Sequence, residues 1–408
     1  MSKLKLSKRV EDIDESVTLK LNSKAVALAK EGKEIYNLTA GQLTFRPPSG
    51  LVNFIRSELD FINSFQYSPV AGIVELRKKV LDYFEKSRNI KTNNFDVLIS
   101  NGAKHSISNV LAATIEEGDE VILFTPYWVT YPEIVKYYGG KIVTVEGDVF
   151  NGFIPSIDEL KRKMSSKTKA IILNSPNNPS GIQYPKEWME EFSKIMLKYK
   201  NTYIISDEIY FELNYFDPKP EYFYQFDNSL LEQTIIIDGI SKALASTGLR
   251  IGFTIAPEKI IKAMTRLQGH TTSSPNSLIQ RALLHYDFSD IEVFLDPIKK
   301  HLRENVTILR DYYTKFNMGH LWYQPTGAFY YLIDFTPTPV MKKFKSGSED
   351  NSKDYSFEIC EKLLDEVGIA VVPGGAFGMP NTARLSTVLE RDYFSRAVEK
   401  LMNFLWKK

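Results

Sequence analysis

The sequence predicts an α/β protein built on a doubly wound, mainly parallel sheet of seven strands, with a smaller α+β unit following it. Three observations carry that prediction. Seven short apolar runs succeed one another between residues 96 and 256, helical patterns fall between several of them, and polar or glycine-containing motifs follow most runs directly. Runs that are apolar at consecutive positions, rather than alternating, suit strands covered on both faces, as in a parallel sheet between layers of helix.

In chain order the expected strands are Asp96–Ser100, Glu120–Phe124, Lys141–Val145, Lys169–Asn174, Thr202–Ser206, Thr234–Asp238 and Ile251–Ala256. Lys186–Lys198 carries apolar residues at helical spacing between two of them. In open sheets of this kind ligands collect just beyond the carboxyl ends of the strands, so the residues after each run are the first functional candidates. From about residue 290 the texture changes. A long charged helix is expected from Pro297 to about Phe316, leading into the apolar run Ala328–Asp334. The polar stretch Thr336–Tyr355 reads as an exposed loop. Another helix, the turn Val372–Gly378, a short strand and a terminal helix complete the smaller unit, and an N-terminal helix, Ser23–Gly32, is expected to pack with it. The expected division is residues 1–45 as an arm and part of the small domain, 46–290 as the large domain, and 291–408 as the small one.

Composition narrows the function classes. The 408 residues are 43% hydrophobic and 25% charged, enough for a large core. The formal net charge is +1 without a basic block, which gives nucleic-acid or anionic-membrane binding no support. Cys360 is the single cysteine, so no intrachain disulfide forms, and it sits in an apolar stripe at helical spacing. None of the five histidines stands at metal-site spacing from another histidine or a cysteine, so no metal is expected. No apolar run reaches transmembrane length, and the charged N-terminus is not followed by an apolar signal region. A soluble cytoplasmic protein is the expectation.

The stretch Gly239–Arg250 is the most informative part of the chain. Lys242 is rimmed by small side chains that leave room for a flat ring, and Arg250 suits a phosphate. A lysine held between two buried strands has its ammonium form disfavoured, and a neutral amine is what imine formation needs. A surface loop with two ordinary cations is the plainer reading of this segment taken alone.

Further segments bear on that choice. Asp207, after a strand, suits a protonated heterocyclic nitrogen, and Tyr210 on the same helical face would reach a neighbouring ring hydroxyl; a helix N-cap accounts for the same residues. In Asn174–Gly181 the proline and glycine positions fix a turn that aims Asn178 into a cleft. Gly102, Ala103 and Lys104 join a strand to a helix, where unpaired N–H groups attract anions. Trp128 could stack on a planar ring or simply fill the core. Tyr67 and Arg384 complete the set, the latter suited to bidentate capture of a carboxylate or to a structural ion pair.

Taken in order, these motifs resemble the fold-type I pyridoxal-phosphate enzymes, specifically the class I aminotransferases of the bacterial aspartate aminotransferase subgroup. The resemblance runs from Leu6 to the C-terminus. It implies that Lys242 binds pyridoxal 5'-phosphate as an imine and moves the proton during transfer. It implies that Asp207 pairs with the pyridine nitrogen, Asn178 and Tyr210 with the ring hydroxyl, and Trp128 with the ring face. Gly102, Ala103, Lys104 and Arg250 would hold the phosphate, joined by Tyr67 from the other subunit of a homodimer with shared active sites. Arg384, with Trp128, Asn178 and the backbone of Gly41, would bind the substrate α-carboxylate. The implied reaction passes an amino group from an L-amino acid, aspartate first, to a 2-oxo acid such as 2-oxoglutarate.

Departures from the family pattern concern the substrate. Gln42-Leu43-Thr44 replaces the usual Glu-Pro-Asp, Ser246 stands where an apolar residue is usual, and Asp14 stands where prephenate-accepting members have lysine. A carboxylate at that position would repel a distal carboxylate. An aminotransferase for aromatic or other amino acids is the alternative, as is a fold-type I lyase, which would share the ring-binding residues. A transcription regulator reusing the fold would need a DNA-binding domain, and the forty or so residues before Gly41 show neither a winged-helix pattern nor basic excess.

Overall fold

A computed structural model of the chain describes residues 5–11, 13, 15, 17–216, 219–346 and 353–406. The seven expected runs form one sheet. Its strands are β1 (Phe95–Ser100), β2 (Glu120–Phe124), β3 (Lys141–Val145), β4 (Thr168–Asn174), β5 (Tyr203–Asp207), β6 (Thr234–Gly239) and β7 (Gly252–Pro257). They lie in the order β1-β7-β6-β5-β4-β2-β3, and β7 alone runs antiparallel, between β1 and β6.

Both faces of the sheet are buried, which is why the runs are continuously apolar. Val97, Ile99, Ile122, Ile171, Ile204 and Ile236 enter one core cluster. Their chain neighbours Leu98, Val121, Ile172, Ile205 and Ile237 enter a second on the opposite face. The period of two along each strand thus divides side chains between two cores, and each needs its own layer of helices.

A third core covers the C-terminal part. There β8 (Tyr330–Asp334), β9 (Val372–Pro373) and β10 (Thr382–Ser386) form a sheet in the order β8-β10-β9. Tyr331, Ile333 and Leu385 pack there with Leu363 and Leu401. The N-terminal helix docks on this unit, but it spans Val17–Lys30 rather than Ser23–Gly32: Ala25 meets Leu364 and Ala370, and Lys24 pairs with Glu361 at 3.3 Å and Asp365 at 3.0 Å.

Two expectations need correction. The long helix begins at Asp290, not Pro297, and runs to Lys315. Proline removes the N–H that would bond the carbonyl four residues back. Here that carbonyl belongs to Val293, which is 76% exposed, so the lost bond falls on the solvent side of the helix, where it costs least. The stretch Thr336–Tyr355 is not all loop either: Pro339–Lys345 is helical. Pro339 occupies its first turn, the Thr338 hydroxyl accepts from the Met341 N–H at 3.1 Å, and Met341 is fully buried. One buried residue among lysines left too little periodicity to reveal it.

Candidate active site

The parallel strands all end at one edge of the sheet, and the antiparallel β7 begins there. Residues that follow β1, β2, β4, β5 and β6, and those that precede β7, therefore converge. Together with Gly41 from the N-terminal segment and Arg384 from β10, they line a cavity of about 270 Å³ that includes Ala103, Lys104, Trp128, Asn178, Asp207, Tyr210, Lys242 and Arg250. Ten of the twelve candidate residues named from sequence thus meet in one cleft. Gly102 lies just behind it, and Tyr67 stands apart, 92% exposed on the outer surface.

Lys242 lies in a single helical turn, Ile240–Ala243, after β6. It is half-buried and donates a hydrogen bond to the Gly41 carbonyl, with its ammonium 5.7 Å from the Tyr210 ring centre and 5.5 Å from that of Phe329. Desolvation, helped by the positive charge of Arg384, brings its amine from the ordinary 10.5 to about 7; Asp207 works in the other direction. The amine is thus substantially neutral near pH 7, the form a nucleophile or base requires.

Asp207 is the last residue of β5, opposite Asn174 in β4 and Ile237 in β6. Its side chain accepts from the Tyr131 hydroxyl and, at 3.2 Å, from the Ile209 N–H. Burial pushes its carboxyl up to about 6 despite those donors. The Ile209 bond bends the chain into a turn, so Tyr210 shares no helical face with Asp207, contrary to expectation. Tyr210 still reaches the cleft, through that turn.

Behind Asp207 lies a buried ionic cluster. Arg88 donates to Glu208 from two nitrogens, at 3.1 Å each, and to Asp238 at 3.3 Å. Glu208 and Asp238 flank the ends of β5 and β6, so one arginine ties together the strands that carry Asp207 and Lys242.

At the next corner, Gly102 precedes the helix Ala103–Thr114 with φ of 87°, a conformation that favours glycine. A Cβ there would collide with the Arg250 guanidinium, which is anchored by the carbonyls of Thr247 at 2.8 Å and Asn101 at 3.2 Å. Lys104 sits 4.9 Å over the Trp128 ring, and burial lowers its pKa. The first N–H groups of a helix have no intrahelical acceptor. Two cations and this helix start face one end of the cleft, which suits a phosphate.

Arg384 is 2% exposed in β10. It donates to Asn178 Oδ1 at 3.0 Å and to the Thr39 carbonyl at 2.9 Å, while its Nε, buried, has no partner. Asn178 is itself set by the turn: its N–H bonds Asn174 Oδ1 at 2.8 Å. A buried guanidinium with a donor to spare fits a carboxylate. No metal-ligating group of three or more His, Cys, Asp or Glu side chains occurs among the described residues.

The departures noted in the sequence fall unevenly. Asp14 lies outside the described residues. Ser246 is buried and does not line the cleft, its hydroxyl bonded to the Leu244 carbonyl at 2.6 Å. Gln42 accepts from Thr247 at 3.0 Å at the cleft mouth, Leu43 is buried, and Thr44 bonds the Val388 carbonyl at 3.4 Å. Sequence reasoning missed Tyr131, Tyr330 and Thr18, all of which line the cavity. Tyr131, three residues after Trp128 at the start of a helix, was findable by helical spacing; the other two come from distant segments with no motif.

Comparison with known proteins finds full-length relatives. The family described as aminotransferase class I and II matches residues 33–401. The aspartate aminotransferase of Bacillus subtilis is 35% identical, covering 99% of this chain and 100% of its own length. The aspartate/prephenate aminotransferase of Thermus thermophilus is 33% identical, covering 98% of each chain. The solved structure of aspartate aminotransferase from Thermus thermophilus with maleate superposes with a TM-score of 0.87 at 31% identity, over 98% of this chain and 100% of that one.

Proposed function

The chain belongs to the class I and II aminotransferases, which are pyridoxal-phosphate enzymes, and from that premise we propose that it transfers the amino group of L-aspartate to 2-oxoglutarate, releasing oxaloacetate and L-glutamate. The observation that carries this reading is that Lys242 lines one cavity with a buried acid, Asp207, and a buried arginine with an unused donor, Arg384. The substrate choice rests on the relatives named as aspartate or aspartate/prephenate aminotransferases.

Bound pyridoxal phosphate supplies the electron sink for the carbanion formed at the amino acid's Cα. In our assignment Asp207 holds a proton on the pyridine nitrogen: its carboxyl has no cation in contact, and a protonated ring nitrogen would relieve the cost of its burial. Asn178 and Tyr210 orient the ring hydroxyl, and Trp128 covers one face. The Gly102–Lys104 helix start and Arg250 hold the phosphate. Arg384, with Trp128, Asn178 and Gly41, fixes the α-carboxylate so that the Cα–H points at Lys242. Lys242 Nζ takes that proton as general base and returns it later in the cycle.

We read the working form as a cytoplasmic homodimer in which Tyr67 of a second copy completes the phosphate site. The exposed apolar residues Phe61, Ile62, Phe65 and Val74 beside Tyr67 support such a face, and the buried single cysteine suits a reducing compartment. Residues 46–290 then form the cofactor domain, and 1–45 with 291–408 form the rest.

The test is direct. Borohydride treatment of the purified enzyme should fix the cofactor's mass on the peptide containing Lys242, and aspartate should bleach the visible band more efficiently than other amino acids. Mass on another lysine would sink the site assignment; indifference to aspartate would sink the substrate.

A further inference from the structure

We propose that Tyr330 is a positioning residue with two separable roles, its ring face holding the Arg384 guanidinium and its hydroxyl orienting the Tyr210 phenol toward the cofactor ring. The inference rests on the function proposed above and adds a residue that no motif marked.

Register explains the first role. In the β8–β10 pair Leu332 stands opposite Arg384, and Tyr330 stands opposite Ser386. Tyr330 and Arg384 are therefore diagonal neighbours on one face, a spacing that long side chains span. The Arg384 guanidinium lies 4.5 Å from the Tyr330 ring centre and 5.1 Å from that of Phe377. Two aromatic rings thus lie against a cation whose two terminal nitrogens donate to Asn178 and Thr39, leaving Nε for a ligand. Hydrogen bonds fix its direction, and the rings restrict its tilt.

The second role follows from burial. Tyr330 is 1% exposed, and a buried phenol seeks a partner. It finds Tyr210, oxygen to oxygen at 3.1 Å, with the two rings 5.8 Å apart and nearly perpendicular at 82°. With Tyr330 as donor, the Tyr210 hydrogen is left to point into the cavity. The charged and titratable groups facing this pair are Arg384 from β10, Asp207 from β5 and Lys242 beyond β6. A change at Tyr330 is therefore felt at both ends of the substrate-binding apparatus, but through different atoms.

The experiment uses the holoenzyme and the variants Tyr330→Phe and Tyr330→Leu. Two readouts are taken: the pH midpoint of the bound cofactor's visible absorbance, and the dissociation constant of a non-reacting carboxylate, propionate, measured from its effect on that absorbance. Tyr330→Phe keeps the ring and should bind propionate as the wild type does, while its absorbance midpoint moves by at least about half a pH unit. Tyr330→Leu loses both contacts and should also weaken propionate about tenfold. An unmoved midpoint in Tyr330→Phe overturns the hydroxyl role. Equal weakening of propionate in the two variants overturns the separation, and Tyr330→Phe alone tests the hydroxyl role should the leucine variant misfold. A wild type without the cofactor band refutes the proposed function and this inference with it, whereas a wild-type band with unresponsive variants refutes this inference alone.

Discussion

Replacing Lys242 by methionine should make the cofactor-free protein more stable at neutral pH. In the folded chain desolvation and Arg384 bring the lysine from 10.5 to about 7, whereas an unfolded chain restores the ordinary value. Between those two values the unfolded state holds one more proton. Raising the pH through that window therefore favours folding, by up to about 1.4 kcal/mol per pH unit. Below pH 7 both states hold the proton and the dependence vanishes; above 10.5 neither does. At pH 7 the accumulated penalty for burying this amine is about 4 kcal/mol. Methionine keeps the straight aliphatic stem, gives up the bond to the Gly41 carbonyl and abolishes the titration. The assay is denaturant unfolding of stripped wild type and Lys242→Met at intervals from pH 6 to 10. The variant should lead by most at pH 6 to 7, and the gap should close as the pH approaches 10. Parallel curves would refute the reasoning, because they would place the amine in contact with solvent.

Arg384→Leu should lower kcat/KM for every amino acid by a similar factor, about 10- to 100-fold, as the loss of a charge-assisted pair to the shared α-carboxylate requires; a loss confined to dicarboxylic substrates would move Arg384 to the side-chain pocket. Gly102→Val, strained at φ of 87° and driven against Arg250, should raise the pyridoxal phosphate dissociation constant about tenfold in an absorbance titration. Arg88→Met should leave Glu208 and Asp238 facing each other without a cation and cost about 3–5 kcal/mol in denaturant unfolding; a neutral result would mean that water reaches the cluster.

The sheet was readable because every strand but the edge strand β3 is largely covered on both faces, so burial is written into consecutive letters. The cleft was readable because its residues follow strand ends, where a polar motif after an apolar run stands out. Tyr330 escaped for the converse reason. It lies inside an apolar run, Ala328–Asp334, where a tyrosine looks like one more core residue, and only the β8–β10 register reveals that it faces Arg384. Three-residue spacing puts Asp207 and Tyr210 on one helical face, but it is the same on paper for a helix and a turn. The Asp207 carboxylate chose the turn by taking the Ile209 N–H. The helix at Pro339–Lys345 hid because its cap and single buried methionine lie in a stretch otherwise polar.

The placement of β7 also sets a timetable for making the protein. β1 is an edge strand whose only partner in the sheet is β7, and the contact between Asn101 and Arg250 joins positions 149 apart in the chain. On a ribosome, Val97, Leu98 and Ile99, all fully buried at the end, emerge long before the strand that will hydrogen-bond to them. The nascent chain can pair β4 with β5, and β5 with β6, while β1 waits with an open edge. A chain interrupted before Gly252 therefore has the lysine and the acid but no way to bring Gly102 and Arg250 together. The end of the cleft where Gly102 meets Arg250 is the last part of the sheet to close.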